Sequence, residues 1–235
     1  MADQPSLSAT TVAALQGVST ATLTAQLLRR GIRTTFLAGV RPLRPDLRMV
    51  GRAVTLRYVP ARDDVGTGAT FDNRTNAQRI AVESVGPGDV LVIDARGDTR
   101  AAALGNILAT RILRLGAAGI VTDGALRDTP GFARIELPTY AAGANAALSS
   151  TIHHPVDMNV PIGCAGVLVM PGDILVGDAE GVVVIPASMA EEVAADASEQ
   201  ERLETYVLQR VDEGAGLHGT YPPSDETIAA FREAR

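Results

Sequence analysis

The stretch Leu104–Asp128, LGNILATRILRLGAAGIVTDGALRD, decides the fold class. Four apolar residues recur at helical spacing in its first half: Ile107, Leu108, Ile112 and Leu115. Gly116 ends this pattern, so the spacing predicts a helix over 104–116. The apolar run GIVTD at 119–123 then predicts a buried strand. A helix that returns to a strand after a short turn is typical of layered α/β domains.

The segments on either side continue this alternation. We predict two short helices within 8–31, a helix at 75–85 and a long helix at 187–213, with strands at 52–59, 90–94 and 138–142 and only strands and turns over 154–186. A proline-containing tail, YPPSDE, follows, and no linker divides the chain. The sequence therefore predicts one α/β domain over 1–235, a layered sandwich with mixed sheets, whose C-terminal helix and tail begin at about 187.

One unit of the sequence occurs twice. PGDVLVIDARG at 87–97 and PGDILVGDAEG at 171–181 agree at eight of eleven positions. We interpret the unit as a turn–strand–turn used twice for structure. The alternative is that Asp94 or Asp178, at the end of each strand, faces a cavity.

Composition and charge exclude several classes of partner. The net charge of −6 argues against nucleic-acid binding, which favours a basic surface. No apolar run approaches the roughly 18 residues of a membrane span, and the N-terminus lacks a signal-peptide pattern. We expect a cytoplasmic protein with no membrane partner. The polar, glycine-rich stretch 61–76 predicts a loop that could cover a site.

The rarity of three residue types limits the chemistry. The single cysteine, Cys164, excludes an intrachain disulfide, and we expect it to be packed in the core. Two of the three histidines are adjacent, His153 and His154, and we expect them in a loop or an interface rather than in a metal site. All 21 basic residues are arginine. Without lysine the chain cannot form a lysine Schiff base, nor a P-loop.

Polar groups follow the ends of two strands of the predicted sheet. Ligands of open α/β sheets bind beyond the carboxyl ends of the strands. The helix that begins at Gly105-Asn106 offers free N–H groups to an anion such as a carboxylate. Arg127 carries a fork of donors suited to an oxyanion, and Asp128 can ligate a hard cation. These residues predict a site for an anionic substrate and a metal; the alternative is a surface ion pair of little energetic value.

The spacing of these groups resembles a known family. Asn106, twenty further residues and then Arg127-Asp128 are similar to the D-x20-R-D signature of the RraA-like family, named after the regulator of ribonuclease E activity A. That family also contains the class II 4-hydroxy-4-methyl-2-oxoglutarate/4-carboxy-4-hydroxy-2-oxoadipate aldolases. The resemblance rests on 105–128, on HHPVDMNVPIGCAGVLVMPGDILVGDAEGVVVIP at 153–186 and on 87–98, and it extends over about residues 75–190.

The resemblance implies a fold, an activity and roles for single residues. It implies an RraA-like α/β sandwich assembled as trimers or hexamers, and a lyase that depends on Mg²⁺, Mn²⁺ or another divalent cation. Asp128 matches the residue that holds the metal through waters, and Arg127 the arginine that stabilises the enolate. The backbone of 105–108 matches the turn that receives the pyruvoyl carboxylate, a turn formed by Gly105, Asn106, Ile107 and Leu108.

The implied reactions share one intermediate. Retro-aldol cleavage of a 4-hydroxy-2-oxo acid and decarboxylation of oxaloacetate both pass through the pyruvate enolate. In a chain without lysine a metal and an arginine must stabilise it. The first alternative function is a non-catalytic, protein-binding regulator of ribonuclease E activity, and the second is an enzyme acting on a sugar acid.

The sequence departs from the family pattern at one of these positions. Asn106 stands where the aldolases carry Asp or Glu, and an amide can neither act as a base nor supply negative charge to a metal. The family aldolases also take an acidic residue from a neighbouring subunit, for which Glu201 or Glu204 is a candidate here.

Overall fold

The computed structural model describes residues 7–64 and 72–234. Residues 65–71 of the predicted loop 61–76 lie outside the described residues. The helices are α1 Ala9–Gln16, α2 Thr20–Arg29, α3 Ala77–Ser84, α4 Asn106–Arg114, α5 Thr129–Phe132, α6 Ala190–Asp212 and α7 Asp225–Glu233. The strands are β1 Arg41–Pro42, β2 Met49–Pro60, β3 Asp89–Asp94, β4 Ala102–Leu104, β5 Gly119–Leu126, β6 Thr139–Ala144, β7 His153–Met158, β8 Ile162–Cys164, β9 Val167–Val169, β10 Ile174–Gly177 and β11 Val182–Ile185.

Nine of the described strands form one mixed sheet in the order β1-β6-β5-β3-β2-β10-β11, with β4 beside β5 and β7 beside β2. Four neighbouring strands of this sheet run parallel to one another: β6, β5, β3 and β2. Strand β4 is parallel to β5. The remaining pairs are antiparallel. The predicted mixed α/β architecture is therefore confirmed, as is the long C-terminal helix.

The alternation of β3 shows how the layers form. Leu91 and Ile93 pack on one face with Ala109 and Ile112 of helix α4. On the opposite face, Val90 and Val92 pack with side chains of the β8–β9 hairpin. A buried strand sends successive side chains to opposite faces, so β3 lies at the centre of two apolar layers.

A third apolar layer joins the N- and C-terminal helices. Leu23 and Leu27 of α2 pack with Val193 of α6 against Ile174 and its neighbours in β10 and β11. The Ser8 and Ser19 side chains cap the starts of α1 and α2 by accepting the N–H groups of Thr11 and Thr22. No helix among the described residues is long and apolar enough to cross a membrane.

Four sequence predictions were wrong or incomplete. Strand β5 does not end at Asp123 but runs on to Leu126. Ile107, expected on the buried face of α4, is 80% exposed. His153 and His154 lie in strand β7 rather than in a loop. The tail after residue 221 contains a helix, α7, whose start is capped by Ser224. In each case contacts distant in the sequence, or a local cap, outweigh the apolar spacing.

The repeated unit is structural in both copies. Its strands, β3 and β10, lie on either side of β2. In each copy the aspartate of the Pro-Gly-Asp turn accepts an N–H three residues earlier, Asp89 from Gly86 at 2.9 Å and Asp173 from Met170 at 2.8 Å. Asp178 is buried and accepts the N–H and the hydroxyl of Thr20 at 2.8 and 2.9 Å. It therefore holds the start of α2 instead of facing a cavity.

Candidate functional site

Two parallel strands bring the predicted site residues together. Ala102 of β4 lies opposite Ala125 of β5, and Leu104 lies opposite Leu126. The Arg127 N–H donates to the Leu104 carbonyl at 3.1 Å and extends this pairing by one residue. Because both strands end at the same edge of the sheet, the start of α4 and the Arg127-Asp128 pair lie side by side.

A cleft of about 300 Å³ opens at this edge. Five of the six predicted site residues line it: Gly105, Ile107, Leu108, Arg127 and Asp128. The sixth, Asn106, turns its side chain elsewhere. A Cβ built on Gly131 would lie 2.6 Å from Asn106 Nδ2, so the amide packs against the backbone of α5. Asn106 can therefore contribute its backbone N–H to the cleft, and its side chain supports α5.

The start of α4 is open to a ligand. Gly105 is the N-cap residue, in an extended conformation, and no side chain caps the helix. The N–H groups of the first helical turn have no partners within the helix, and the helix dipole makes this end positive. A carboxylate at this end would receive hydrogen bonds and favourable electrostatic energy together.

Gly105 also makes room for the two charged residues. A Cβ at this position would lie 2.9 Å from Asp128 Oδ2 and 3.0 Å from Arg127 Cγ. Real Cβ atoms essentially never approach other atoms more closely than 3.0 Å. The side chains of Arg127 and Asp128 thus rest directly on the backbone at the start of α4.

Arg127 holds a donor that is buried and unused. Within the described part of the chain its Nε is the one buried side-chain nitrogen or oxygen without a hydrogen-bond partner. Asp128 Oδ2 lies 3.6 Å from this nitrogen, beyond hydrogen-bonding distance. A buried donor without a partner costs about 1–3 kcal/mol, so the structure gains when a ligand oxygen reaches it.

Asp128 is held in a conformation that side chains rarely adopt. Its φ of 59° and ψ of 31° place it in the left-handed region. Its carbonyl accepts the N–H of Gly131 at 2.8 Å, while its carboxylate makes no capping bond to α5. Left-handed residues other than glycine are costly and are concentrated at functional sites. The conformation directs a carboxylate that is not used for capping into the cleft.

The residues present fit a divalent cation bound largely by water. Among the described residues no group of three or more His, Cys, Asp or Glu side chains could enclose a metal. Asp128 is the one carboxylate among the described residues that line the cleft, and it is 42% exposed. Mg²⁺ keeps several waters and needs only one or two protein carboxylates together with substrate oxygens. The donor set suits such an ion and does not suit a closed zinc site.

The two acidic candidates of the C-terminal helix do not reach this cleft within one chain. Glu201 accepts a hydrogen bond from the Ser19 hydroxyl at 3.3 Å, and Glu204 accepts one from Gln200 at 2.7 Å. Neither residue lines the cleft. A role for either one in the site therefore requires a second copy of the chain.

Seven further residues line the cleft that were not among the predicted site residues. Three belong to β4, and the other four are Gln78, Arg79, Leu148 and Ser149. Gln78 and Arg79 lie in the first turn of α3, which the Asn76 side chain caps by accepting the Arg79 N–H at 3.2 Å. The capping asparagine was a visible signal for the helix start. The position of this helix start beside the cleft depends on how α3 packs on the sheet.

His153 and Asp123 lie outside the cleft lining in buried structural positions. Asp123 accepts N–H groups from Ala95 at 2.7 Å and Gly97 at 2.9 Å, and burial raises the pKa of its carboxyl. Burial lowers the pKa of His153, whose Nε2 lies 3.2 Å from the Ala101 carbonyl and whose Nδ1 lies 3.3 Å from Arg96 Nη2. Arginine can only donate, so this pair of contacts fixes a neutral imidazole protonated at Nε2.

Cys164 is packed as expected. Its side chain is fully buried, and desolvation raises the pKa of the thiol well above its usual value. A thiol in this environment is inert.

Two proteins from other organisms are similar to this chain in sequence. A 4-hydroxy-4-methyl-2-oxoglutarate aldolase of Thermus thermophilus is 32% identical over 154 residues, which are 66% of this chain and 92% of that protein. A protein of Halalkalibacterium halodurans is 36% identical over 168 residues, 72% of this chain and 74% of its own length.

Solved structures share the fold. Streptomyces coelicolor RraAS2, described as an unusual member of the RNase ES inhibitor RraA protein family, matches with a TM-score of 0.77 and 34% identity over 86% of this chain and 98% of its own. A Pseudomonas syringae protein matches with a TM-score of 0.79 over 93% of this chain and 100% of its own, and at 24% identity it supports the fold alone. The model of the RraA-like family, Aldolase/RraA, matches residues 20–184. The chain therefore belongs to the RraA-like family.

Proposed function

We propose that this protein is a divalent-metal-dependent lyase of small 2-oxo acids. It would cleave a 4-hydroxy-2-oxo acid of the 4-hydroxy-4-methyl-2-oxoglutarate type to pyruvate, or decarboxylate oxaloacetate, through the same enolate. The observation that carries the proposal is the buried, unpaired Nε of Arg127 beside an uncapped helix start in one cleft. The aldolase name of the Thermus thermophilus relative supports it.

The start of α4 would bind and orient the substrate. The 2-oxo acid places its carboxylate at the N–H groups of 106–108, where the helix dipole favours negative charge. This contact turns the adjacent keto oxygen towards Arg127. The ground-state binding energy is used to position the bond that breaks.

Arg127 would stabilise the charge that forms during the reaction. In retro-aldol cleavage the 4-hydroxyl gives its proton to a water molecule and becomes the carbonyl of the second product as the bond between C3 and C4 breaks; in decarboxylation the same bond breaks and CO₂ leaves. The electron pair of that bond moves into the enolate, and negative charge grows on the keto oxygen. A guanidinium already in place is more effective than water, because it needs no reorganisation when the charge appears. Protonation of the enolate at C3 then releases pyruvate.

Asp128 is the residue that would hold the divalent ion, through water. When bound, this ion supplies Lewis-acid polarisation of the keto oxygen. We propose Mg²⁺ or Mn²⁺, because the single carboxylate of the cleft suits a hard cation. We also propose that the protein acts as a homotrimer or hexamer, with Glu201 or Glu204 brought to the cleft of a neighbouring copy. The proposed partners are small-molecule oxo acids, without nucleic acid or membrane, in the cytoplasm.

The proposal is tested by measuring pyruvate release from 4-hydroxy-2-oxo acids and oxaloacetate, with and without Mg²⁺. We expect turnover that requires the metal. We expect Arg127→Gln to lose roughly 10²–10³-fold in kcat, as for removal of one oxyanion donor. Folded protein that releases no pyruvate from any member of the panel would overturn the lyase proposal.

One observation favours a second function. The similarity to RraAS2 of Streptomyces coelicolor, at 34% identity, supports a protein-binding regulator of a ribonuclease. Such a role has no use for an unpaired donor buried in a cleft, so we place it second. Association with ribonuclease E at micromolar concentration, unaffected by Arg127→Gln, combined with absence of turnover, would reverse this order.

A further inference from the structure

Strand β4 joins the sheet through an irregular step that comes directly before the site. Its register shifts between Ala102 and Leu104, which lie opposite the consecutive residues Ala125 and Leu126 of β5. Ala103 is therefore the extra residue of a β-bulge. A bulge leaves one residue outside the ladder and bends its strand, and bulges are frequent beside active sites. This bend lies immediately before the open start of α4.

Side chains hold the carbonyl of the bulged residue. Ala103 is fully buried, so its carbonyl needs partners within the protein. The Tyr58 hydroxyl donates to this carbonyl at 3.0 Å, and Gln78 Nε2 donates to it at 2.7 Å. The two bonds together use both lone pairs of the oxygen. In the described sheet β4 pairs with β5 alone, so β2 and α3, which carry Tyr58 and Gln78, fix the bulge in place of a second neighbouring strand.

The two donors also hold each other in one orientation. Gln78 Nε2 gives its other hydrogen to the Tyr58 oxygen at 2.7 Å, and Gln78 Oε1 accepts from Arg79 Nη1 at 2.7 Å. Turned round, the amide would set its NH₂ group against an arginine donor and its oxygen against a carbonyl. Burial raises the pKa of Tyr58, so its hydroxyl stays protonated and keeps its hydrogen for the Ala103 carbonyl.

A third side chain holds the residue that leads into β4. His153 Nε2 lies 3.2 Å from the Ala101 carbonyl, and the His153 ring centroid lies 5.4 Å from that of Tyr58. Tyr58 and His153 come from β2 and β7, which pair with each other. Tyr58, Gln78 and His153, which we call the β4 clamp, therefore attach β4 to one pair of strands and one helix.

The clamped strand leads to both halves of the site. The Leu104 carbonyl accepts the Arg127 N–H at 3.1 Å, and the Gly105 carbonyl accepts the Ala109 N–H at 3.2 Å. A displacement of β4 would thus move the start of α4 and change its relation to Arg127. Tyr58 is not among the described residues that line the cleft, so it acts on a ligand only through this backbone.

We propose that Tyr58 is a positioning residue, which together with Gln78 holds the β4 bulge and so sets where the start of α4 presents its N–H groups to a bound carboxylate. This inference rests on the proposed function for the identity of that carboxylate. Without the Tyr58 hydroxyl, the Ala103 carbonyl keeps one donor instead of two and the bulge is less firmly held. Small displacements of groups that orient a ligand have large effects on its binding and reaction.

Hydrogen exchange tests the hold on the strand without any ligand. Tyr58→Phe removes the hydroxyl and keeps the ring. We expect faster exchange at the Ala109 and Arg127 amides, which donate to the two carbonyls that follow the bulge. Tyr140→Phe is the matched control, because Tyr140 is equally buried, lies in β6 of the same sheet, and places its hydroxyl 3.5 Å from the Leu47 carbonyl, away from β4. It should leave the exchange of these two amides unchanged.

Affinity for a carboxylate ligand distinguishes positioning from a purely structural role. Oxalate is planar, carries two adjacent oxygens like the pyruvate enolate and has no bond for the protein to cleave by this chemistry. With Mg²⁺ present, calorimetry should show that Tyr58→Phe binds oxalate roughly 3–10-fold more weakly, the effect of about one hydrogen bond, and that Tyr140→Phe binds it as the unmodified protein does. A purely structural role would lower the melting temperatures of both variants and leave both affinities unchanged.

A second variant keeps the inference testable if Tyr58→Phe does not fold. Gln78→Met removes the other donor to the Ala103 carbonyl and keeps the length of the side chain. Because Gln78 also lines the cleft, this variant is assessed by hydrogen exchange alone. It should show the same faster exchange at the Ala109 and Arg127 amides, and unchanged exchange there would overturn the inference.

The outcomes separate this inference from the proposed function. Exchange at Ala109 and Arg127 that is no faster in Tyr58→Phe than in Tyr140→Phe, or an unchanged affinity for oxalate, would overturn the role of Tyr58 even if the protein releases pyruvate. Faster exchange together with weaker oxalate binding, in a protein that turns nothing over, would support Tyr58 and contradict the lyase.

Discussion

At the scale of single residues, the site depends on a contact that only glycine permits. The side chains of Arg127 and Asp128 lie against Gly105, and the two charged groups remain 3.6 Å apart instead of forming a close ion pair. Asp128 meanwhile occupies the left-handed region. This local strain, together with the unpaired Arg127 donor, indicates a site prepared for a ligand rather than a satisfied surface pair.

Replacing Gly105 by alanine should damage the site more than the fold. The Gly105 φ of −122° suits any residue, so alanine adds no backbone strain. Its Cβ would displace Asp128 Oδ2 and Arg127 Cγ. We expect kcat/KM for pyruvate release to fall roughly 10–100-fold, because small misplacements of catalytic groups are costly, while the melting temperature changes little. Gly163→Ala, where a Cβ meets nothing within 4 Å, is the control. Equal activity of the two variants would contradict this account.

The sequence could predict the helix start at Gly105-Asn106 and the Arg127-Asp128 pair, but not the other residues that line the cleft. The spacing from Gly105-Asn106 to Arg127-Asp128 was sufficient to place both groups at strand ends. The outward turn of the Asn106 amide depends on α5, and the position of Arg79 depends on α3. These are contacts between segments distant in the sequence, which local spacing does not contain.

At the scale of elements, strand β5 shows where local signals fail. Asp-Gly is a common turn signal, yet β5 continues through Asp123-Gly124. The Asp123 carboxylate accepts N–H groups from the loop after β3, at Ala95 and Gly97, instead of closing a turn. A Cβ on Gly124 would lie 2.5 Å from the Ala95 Cβ, so glycine is present for packing. Long, periodic segments such as α6 and β2 were predictable because their own spacing determines their burial.

The two copies of the repeat allow a matched test of this structural role. Asp178 accepts hydrogen bonds from Thr20 and Glu180, whereas Asp94 accepts one from Arg96. Asp178→Ala leaves the buried N–H and hydroxyl of Thr20 without this acceptor. We expect it to lower the free energy of unfolding by about 1–3 kcal/mol, and Asp94→Ala to lower it less. Urea denaturation followed by circular dichroism measures both. A larger loss of unfolding free energy in Asp94→Ala than in Asp178→Ala would contradict the structural role of Asp178.

At the scale of the whole molecule, one mixed sheet joins three apolar clusters and places the cleft at the ends of its parallel strands. The first and second clusters both contain residues of β2 and β3, and the second and third both contain residues of β2 and β10. We therefore expect the three layers to unfold together. That the chain folds as a single domain stays a prediction. The trimeric or hexameric assembly stays one as well.

Global stability should depend on pH through His153. Its folded pKa lies below the usual value of about 6.5 because the imidazole is buried, and Arg96, Asp98 and Asp123 also act on it. The unfolded chain then binds more protons between the two pKa values. This contribution to stability is complete above about pH 6.5 and is lost as the pH falls towards the folded pKa.

Melting temperatures measured between about pH 7.5 and pH 5.5 test this dependence around the ordinary histidine pKa. We expect the melting temperature to fall with pH in the unmodified protein and to fall less in His153→Gln, whose neutral amide can donate to Ala101 and accept from Arg96. Parallel curves for the two proteins would show that another group is responsible.

The central claim is that the cleft stabilises a pyruvate enolate, and hydrogen–deuterium exchange at the pyruvate methyl group tests it most directly. The measurement follows the methyl signal of pyruvate by NMR in D₂O with Mg²⁺, and it does not require the distal half of the substrate to be known. The account predicts exchange well above the rate with Mg²⁺ alone, and loss of this excess in Arg127→Gln and in Asp128→Asn. Exchange no faster than with Mg²⁺ alone, in a folded protein, would contradict it.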